Sequence, residues 1–305
     1  MSKREAAVAT NNPVFNRIEQ DAQRGYAGFE APRNVGSERQ PNLSQASAQW
    51  SSQDAMTQQR LEDVYNQPPA GPIQTGRVTM DDVIMKSLAL FAIVLTTATV
   101  GWLVSAANPS LGFMLWMGGM IGTLILGFVI VLRKTLSVPL ILLYAGVQGV
   151  FVGAVSQFFA TYFDEPGTPV FQGIVAQAVL ATLATFAGMF IAYKVGLIKV
   201  TEKFRRIVTM MIFGYAIFAV VNFIYAMVTN TAFGFGGSGT LGIAISLFAV
   251  GLASVSLALD FDSIERAIAT GAPQKYSWLL AHGLMVTLVW LYIEFLRLVA
   301  RLRSN

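Results

Sequence analysis

The sequence predicts an all-α integral membrane protein, a bundle of seven transmembrane helices preceded by a disordered N-terminal tail. Three observations lead there. Of the 305 residues, 54% are hydrophobic and only 12% are charged, whereas soluble domains carry about 25% charged residues. The apolar residues gather into seven runs, each near the ~20 residues that a bilayer-spanning helix needs. The charges that remain fall beside those runs: residues 1–81 hold 8 Lys+Arg and 9 Asp+Glu, leaving 13 basic and 8 acidic residues for the rest of the chain. The net charge of +4 is therefore a topological signal and not a nucleic-acid-binding tail. With no cysteine and His282 as the single histidine, disulfide frameworks, thiolate metal sites, cysteine nucleophiles and multi-histidine metal centres are excluded.

Residues 1–76 form the first expected unit, a largely disordered cytoplasmic tail. They are rich in Gln, Asn, Ser, Ala and Pro, a composition that buries too little apolar surface to offset the entropy of ordering. No basic start followed by an apolar core and a cleavage site is present, so no secretory signal peptide is expected. Pro68, Pro69, Gly71 and Pro72 close the tail, and residues 77–305 form the second unit, the transmembrane domain. Thr79 with Asp82 three residues on reads as a helix N-cap. The seven spans then fall at about 83–106, 111–132, 138–162, 170–193, 207–229, 240–259 and 277–299. The breaks between them are Asn108-Pro109-Ser110, Arg133-Lys134, Asp164 to Gly167, Lys194 to Arg206, the glycine cluster 234–239 and Asp260 to Tyr276. Small residues spaced by four, Gly118/Gly122 and Gly149/Gly153, suit close helix packing within the bundle.

Orientation follows from Lys and Arg near the helix ends. With the N-terminus inside, the cytoplasmic side collects Arg77, Lys86, Arg133, Lys134, Lys194, Lys199, Lys203, Arg205, Arg206, Arg266 and Lys275, against Arg297, Arg301 and Arg303 outside. Those three arginines oppose the rule. A seventh segment that enters and returns would satisfy them, but the segment is long enough to cross.

Polar residues at membrane depth are costly, so they are the default candidates for a pathway or a sensor. Asp260 ends the sixth span after apolar neighbours; desolvation there favours the neutral acid, and a group so placed switches with pH. Asp262 has Arg266 four residues on, and Glu294 has Arg297 three residues on, both spacings for local ion pairs. Gln148, Gln157, Gln177, Asn222, His282 and Thr287 add neutral polar groups. Gly234-Phe235-Gly236-Gly237-Ser238-Gly239 has the spacing of a dinucleotide loop but follows a membrane helix, with no βαβ unit to use it. Ser238 with His282 resembles a serine–histidine dyad of intramembrane proteases, yet helix parity puts the two at opposite membrane faces, so no enzymatic activity is expected.

The third-span run Pro139 to Gly153 and the sixth-span ending Leu259-Asp260-Phe261-Asp262-Ser263-Ile264 resemble the Bax inhibitor-1/YccA-like family, the transmembrane Bax inhibitor motif family, over roughly residues 79–303. The resemblance implies a bundle with the last helix central, acting as a pH-sensitive calcium leak. It also implies links to stress response and, in bacteria, to a membrane-bound ATP-dependent protease. Asp260 matches the first of two aspartates that the family uses as a pH sensor. The second position falls on Thr287 if Arg297 anchors the comparison, or on Glu294 if Leu291-Tyr292-Ile293-Glu294 does. Glu294 lies sixteen residues beyond Trp278, about 24 Å along a straight helix, which favours Thr287 and leaves Asp260 to partner Asp262 or Arg133. One or two carboxylates imply a weak, transient cation contact at Asp260 and Asp262, since calcium wants several oxygen ligands. The expected function is thus a pH-gated calcium (cation) leak of the bacterial inner membrane, with no cofactor. A regulatory partner of a membrane protease is the alternative.

Overall fold

Seven long helices and one short 3-10 turn account for nearly all of the chain that the computed structural model describes, residues 76–133, 135–231 and 233–304. The expected tail, residues 1–76, lies outside the described residues apart from Gly76. The helices are α1 Met80–Ala107, α2 Pro109–Leu132, α3 Val138–Phe163, α4 Ile174–Lys194, α5 Glu202–Thr229, α6 Thr240–Ala269 and α7 Tyr276–Arg303. All seven are long and apolar enough to cross a membrane, and no strand occurs among the described residues. The expected all-α, seven-span fold is what the chain adopts.

Local chemistry sets the helix starts. Thr79 caps α1 in a reciprocal box with Asp82, the Asn108 side chain accepts from the Ser110 and Leu111 amides before Pro109 opens α2, and Thr201 caps α5 at Phe204. Two boundaries differ from the sequence reading. Residues 170–172 form the 3-10 turn, and Gly173 caps α4. The sixth span does not end at residue 259 but continues to Ala269. The reason is the stripe Leu257, Phe261, Ile264 and Ile268, which keeps its apolar face on the core while the intervening charges find partners to the side.

Helix α7 packs against α1, α3, α4 and α6, so the last helix is central, as the resemblance implies. Its 28 residues make about 42 Å of unbroken helix. Its start is tied to the beginning of α1: Val78 N–H donates to Ala272 O at 2.8 Å, Gln274 N–H to Gly76 O at 2.7 Å, and the Gln274 amide to Asp82 at 2.9 Å. Its other end meets the C-terminus of α3, where Arg303 pairs with Asp164 and donates to the Phe163 carbonyl. A segment that joins opposite ends of its neighbours crosses; it does not re-enter.

Helices α1 and α3 approach each other closely. A Cβ on Gly153 would strike the Ala98 carbonyl oxygen and lie 2.8 Å from the Trp102 amide nitrogen, and one on Gly149 would strike Thr97 and the Val94 carbonyl. The Gly149/Gly153 pair therefore serves packing within the bundle, as expected. The Gly118/Gly122 pair divides: Gly122 sits against Val147, Gly118 faces open space, and it is Gly119 that meets Phe151.

Candidate functional site

One face of α7 carries a row of polar side chains. Gly283, Thr287, Trp290, Glu294, Arg297 and Arg301 follow one another at intervals of four, three, four, three and four residues, which keeps them on one side of the helix.

At the N-terminal end of this face lies Asp260 of α6. Its Oδ1 is 3.8 Å from where a Cβ on Gly283 would stand, the Thr287 side chain lies beside its carboxyl group, and its Oδ2 is buried without a hydrogen-bond partner. The structure thus brings Asp260 and Thr287 together. Asp262, two residues on, points elsewhere, because two residues of helix turn a side chain about 200° at 3.6 residues per turn. It accepts from Arg266 at 2.9 Å and from Arg205 of α5. Asp260 and Asp262 are therefore not a pair facing one cation. No group of three or more His, Asp or Glu that could hold a metal occurs among the described residues. Arg133 is likewise kept away: it is the exposed C-cap of α2, and α2 packs on α1 and α3 but not on α6. The Asp260–Arg133 latch is not formed.

Around Asp262 the helix ends are laced by ion pairs. Arg266 also donates to Glu202 at 2.9 Å, while Glu265 accepts from Lys194 at 2.7 Å and from the Tyr193 hydroxyl at 2.8 Å. The i,i+4 pair expected for Asp262 and Arg266 is present but belongs to this wider network, which joins α4, α5 and α6.

Seven residues beyond Thr287, about 10 Å along the helix, Glu294 is only 3% exposed. It accepts from the Tyr215 hydroxyl of α5 at 2.6 Å, from Trp290 Nε1 at 3.1 Å and from Arg297 at 3.3 Å. The local Glu294–Arg297 pair is there, and Tyr215 turns it into an interhelical lock. One step further, Arg301 is 1% exposed. It donates to the Gly242 carbonyl, to Ser246 at 3.0 Å and to the Phe233 carbonyl at 3.1 Å. These acceptors lie in the glycine loop and the first turns of α6. In that loop Gly236 has φ of +81°, and the Gly237 carbonyl leaves no room for a Cβ on Gly242. The glycines allow a tight backbone fold over the start of α6, held also by Asn222, which accepts from the Phe235 amide at 2.7 Å. Ser238 belongs to this loop at the far end of α6, whereas His282 packs its ring against Tyr144 with centroids 4.5 Å apart, so the two form no dyad. Gln148 Oε1 and His282 Nδ1 are further buried atoms without partners.

Tyr215 and the Ser156–Tyr292 pair at 2.6 Å escaped the sequence reading, which used Arg301 only for orientation. The heptad-like spacing from Thr287 to Arg301 signals an inward-facing arginine; nothing local marks Tyr215.

Seven membrane-crossing helices, the polar-faced last one packed against four of the others, define a class of integral membrane bundle. The chain belongs to the Bax inhibitor 1-like family, whose family model matches residues 12–304. The match takes in most of the N-terminal segment, beyond the residues 79–303 that the motifs alone cover. No curated protein matches the chain.

Proposed function

We propose that this protein is a pH-sensitive cation leak, with calcium as its ion, in which the charge state of Asp260 selects between closed and open packings of α6 on α7. The observation that carries the reading is the buried, unpartnered Oδ2 of Asp260 beside Gly283 and Thr287. A carboxylate with no cation against it is costly away from water. Negative charge on Asp260 therefore disfavours this closed packing, and the neutral acid favours it. The sign follows: acidification closes the path, and a rise in pH opens it. Thr287 is the polar neighbour of the carboxyl group, its hydroxyl donating to the Gly283 carbonyl at 3.2 Å, while Glu294, locked by Tyr215 and Arg297, closes the far half. Cation contact at Asp260 is transient, and no covalent step is involved.

We place the N-terminus in the cytoplasm and the protein in a bacterial inner membrane. The excess of Lys and Arg at the end where α1 begins supports this orientation. So do the three opposing arginines, since each is engaged within the protein: Arg297 by Glu294, Arg301 by carbonyls and Ser246, Arg303 by Asp164 and the Gln172 carbonyl.

The test is calcium efflux from loaded liposomes across a range from mildly acidic to mildly alkaline pH. Wild-type flux should rise with pH, and Asp260→Asn, permanently neutral, should give a low and flat profile. An Asp260→Asn profile identical to wild type removes Asp260 from the mechanism. A second reading, regulation of a membrane-bound ATP-dependent protease, draws support from the family match reaching into the N-terminal segment. Deleting residues 1–76 then abolishes co-purification of the partner, whereas a leak keeps its flux.

A further inference from the structure

A cleft of about 1010 Å³ runs between α1 and α4, two helices that make no contact with each other among the described residues. Its floor is α7, through Leu284, Leu288 and Tyr292. Along α1 it extends from Met80 to Trp102, about 33 Å at the helical rise, comparable to the ~30 Å hydrocarbon thickness of a bilayer. Its lips carry exposed Ile84, Leu88 and Leu95 from α1 and Leu183 from α4. The cleft is open along its lips, and its apolar walls give water few hydrogen-bond partners. Hydrocarbon is the filling that matches the walls.

Two polar features make the cleft more than a lipid-facing furrow. The first is Ser87, which lines it, is 6% exposed, and whose hydroxyl has no partner. Ser105, Ser156, Ser254, Ser256 and Ser263 each donate to the carbonyl four residues earlier in their helices; Ser87 does not. The second is the end of the cleft, formed by Tyr193, Lys194 and Glu265. The Lys194 ammonium, its side chain 44% exposed, spends one hydrogen bond on Glu265, leaving two of its three N–H donors free for a ligand.

We propose that this cleft is a binding site for one glycerophospholipid. Its phosphate lies at Lys194, an ester carbonyl accepts from Ser87, and its chains run along α1 toward Ala98 and Trp102. The lipid seals the central helix α7 from the bilayer and substitutes for the missing α1–α4 contact. This site is separate from Asp260, so a failed flux experiment leaves it standing.

The test measures phospholipid retained by the full-length protein after extensive detergent washing, read by native mass spectrometry. Wild type should keep one phospholipid per chain. Leu183→Trp and Val179→Trp, which fill the cleft, should lose it, and Ser87→Ala and Lys194→Gln should lower its occupancy several-fold. Val221→Trp on the exposed face of α5 should change nothing. Equal lipid on Leu183→Trp and wild type, equal loss from Val221→Trp, or a second copy of the chain in place of lipid each overturns the proposal. Brominated-chain phospholipid provides an independent readout: in protein keeping Trp102 and carrying Phe at the other four tryptophans, quenching should exceed that of the same protein with Leu183→Trp's smaller relative, Leu183→Phe. Equal quenching again overturns it.

Discussion

Replacing Gly153 by alanine adds one methyl group where α3 and α1 meet. That group would collide with the Ala98 carbonyl oxygen and lie 2.8 Å from both the Ala98 carbonyl carbon and the Trp102 amide nitrogen. All three are backbone atoms of a helix, so no side chain can swing away, and the two helices must separate. Overpacking of this kind costs about 1–3 kcal/mol, toward the upper end where backbone has to move. The same substitution at Gly146, on the same helix, meets nothing within 4 Å. There the only change is the higher helix propensity of alanine, a gain of about 0.5–1 kcal/mol. At roughly 2–4 °C per kcal/mol for a domain of this size, Gly153→Ala should lower the midpoint of thermal unfolding in detergent by several degrees. Gly146→Ala should raise it by about one to four on the same scale. Circular dichroism at the helix band measures both. The close-approach argument is refuted if Gly153→Ala unfolds with wild type, or if Gly146→Ala is the more damaging of the two.

Tyr215→Phe removes the hydroxyl that donates to Glu294 but leaves Trp290 and Arg297 in place. An interhelical hydrogen bond in a membrane bundle contributes about 0.6–2 kcal/mol, and loss of that order should appear as earlier unfolding in a sodium dodecyl sulfate titration; unchanged unfolding would show that α5 is not held through this bond. Arg301→Leu strands the Gly242 and Phe233 carbonyls, so the glycine loop should become accessible to protease at Phe233–Phe235 in proteoliposomes, whereas Arg303→Leu should leave that loop protected. Equal protection of wild type and Arg301→Leu would remove Arg301 as the anchor of the loop.

The helices were legible because a bilayer imposes its own period: long apolar runs punctuated by Thr79, Asn108-Pro109 and Thr201 have little alternative to crossing as helices. The end of α6 was not legible from charge alone. Asp260, Asp262, Glu265 and Arg266 read as a loop, yet Leu257, Phe261 and Ile264 keep their core contacts and hold the helix together. At the candidate site, Asp260 stood out by its apolar neighbours, and the choice of Thr287 as its companion followed from helix rise. Its supposed partners Asp262 and Arg133 failed for reasons of direction: a helix turns Asp262 toward Arg205 and Arg266, and α2 is not a neighbour of α6.

The sequence by itself determined the number of crossings, most of their boundaries, and the scarcity of charges that makes each buried one costly. Those properties depend on composition and on spacing along a single helix. Only the tertiary structure decided that Glu294 is locked by Tyr215, that the three C-terminal arginines are each engaged by carbonyls or carboxylates, and that α1 and α4 stand apart. Each of these depends on which helix faces which, and in a hydrocarbon solvent nearly every apolar face is tolerated against either lipid or protein. Helix order around α7 is therefore set by small residues and by a few polar contacts between residues far apart in the chain.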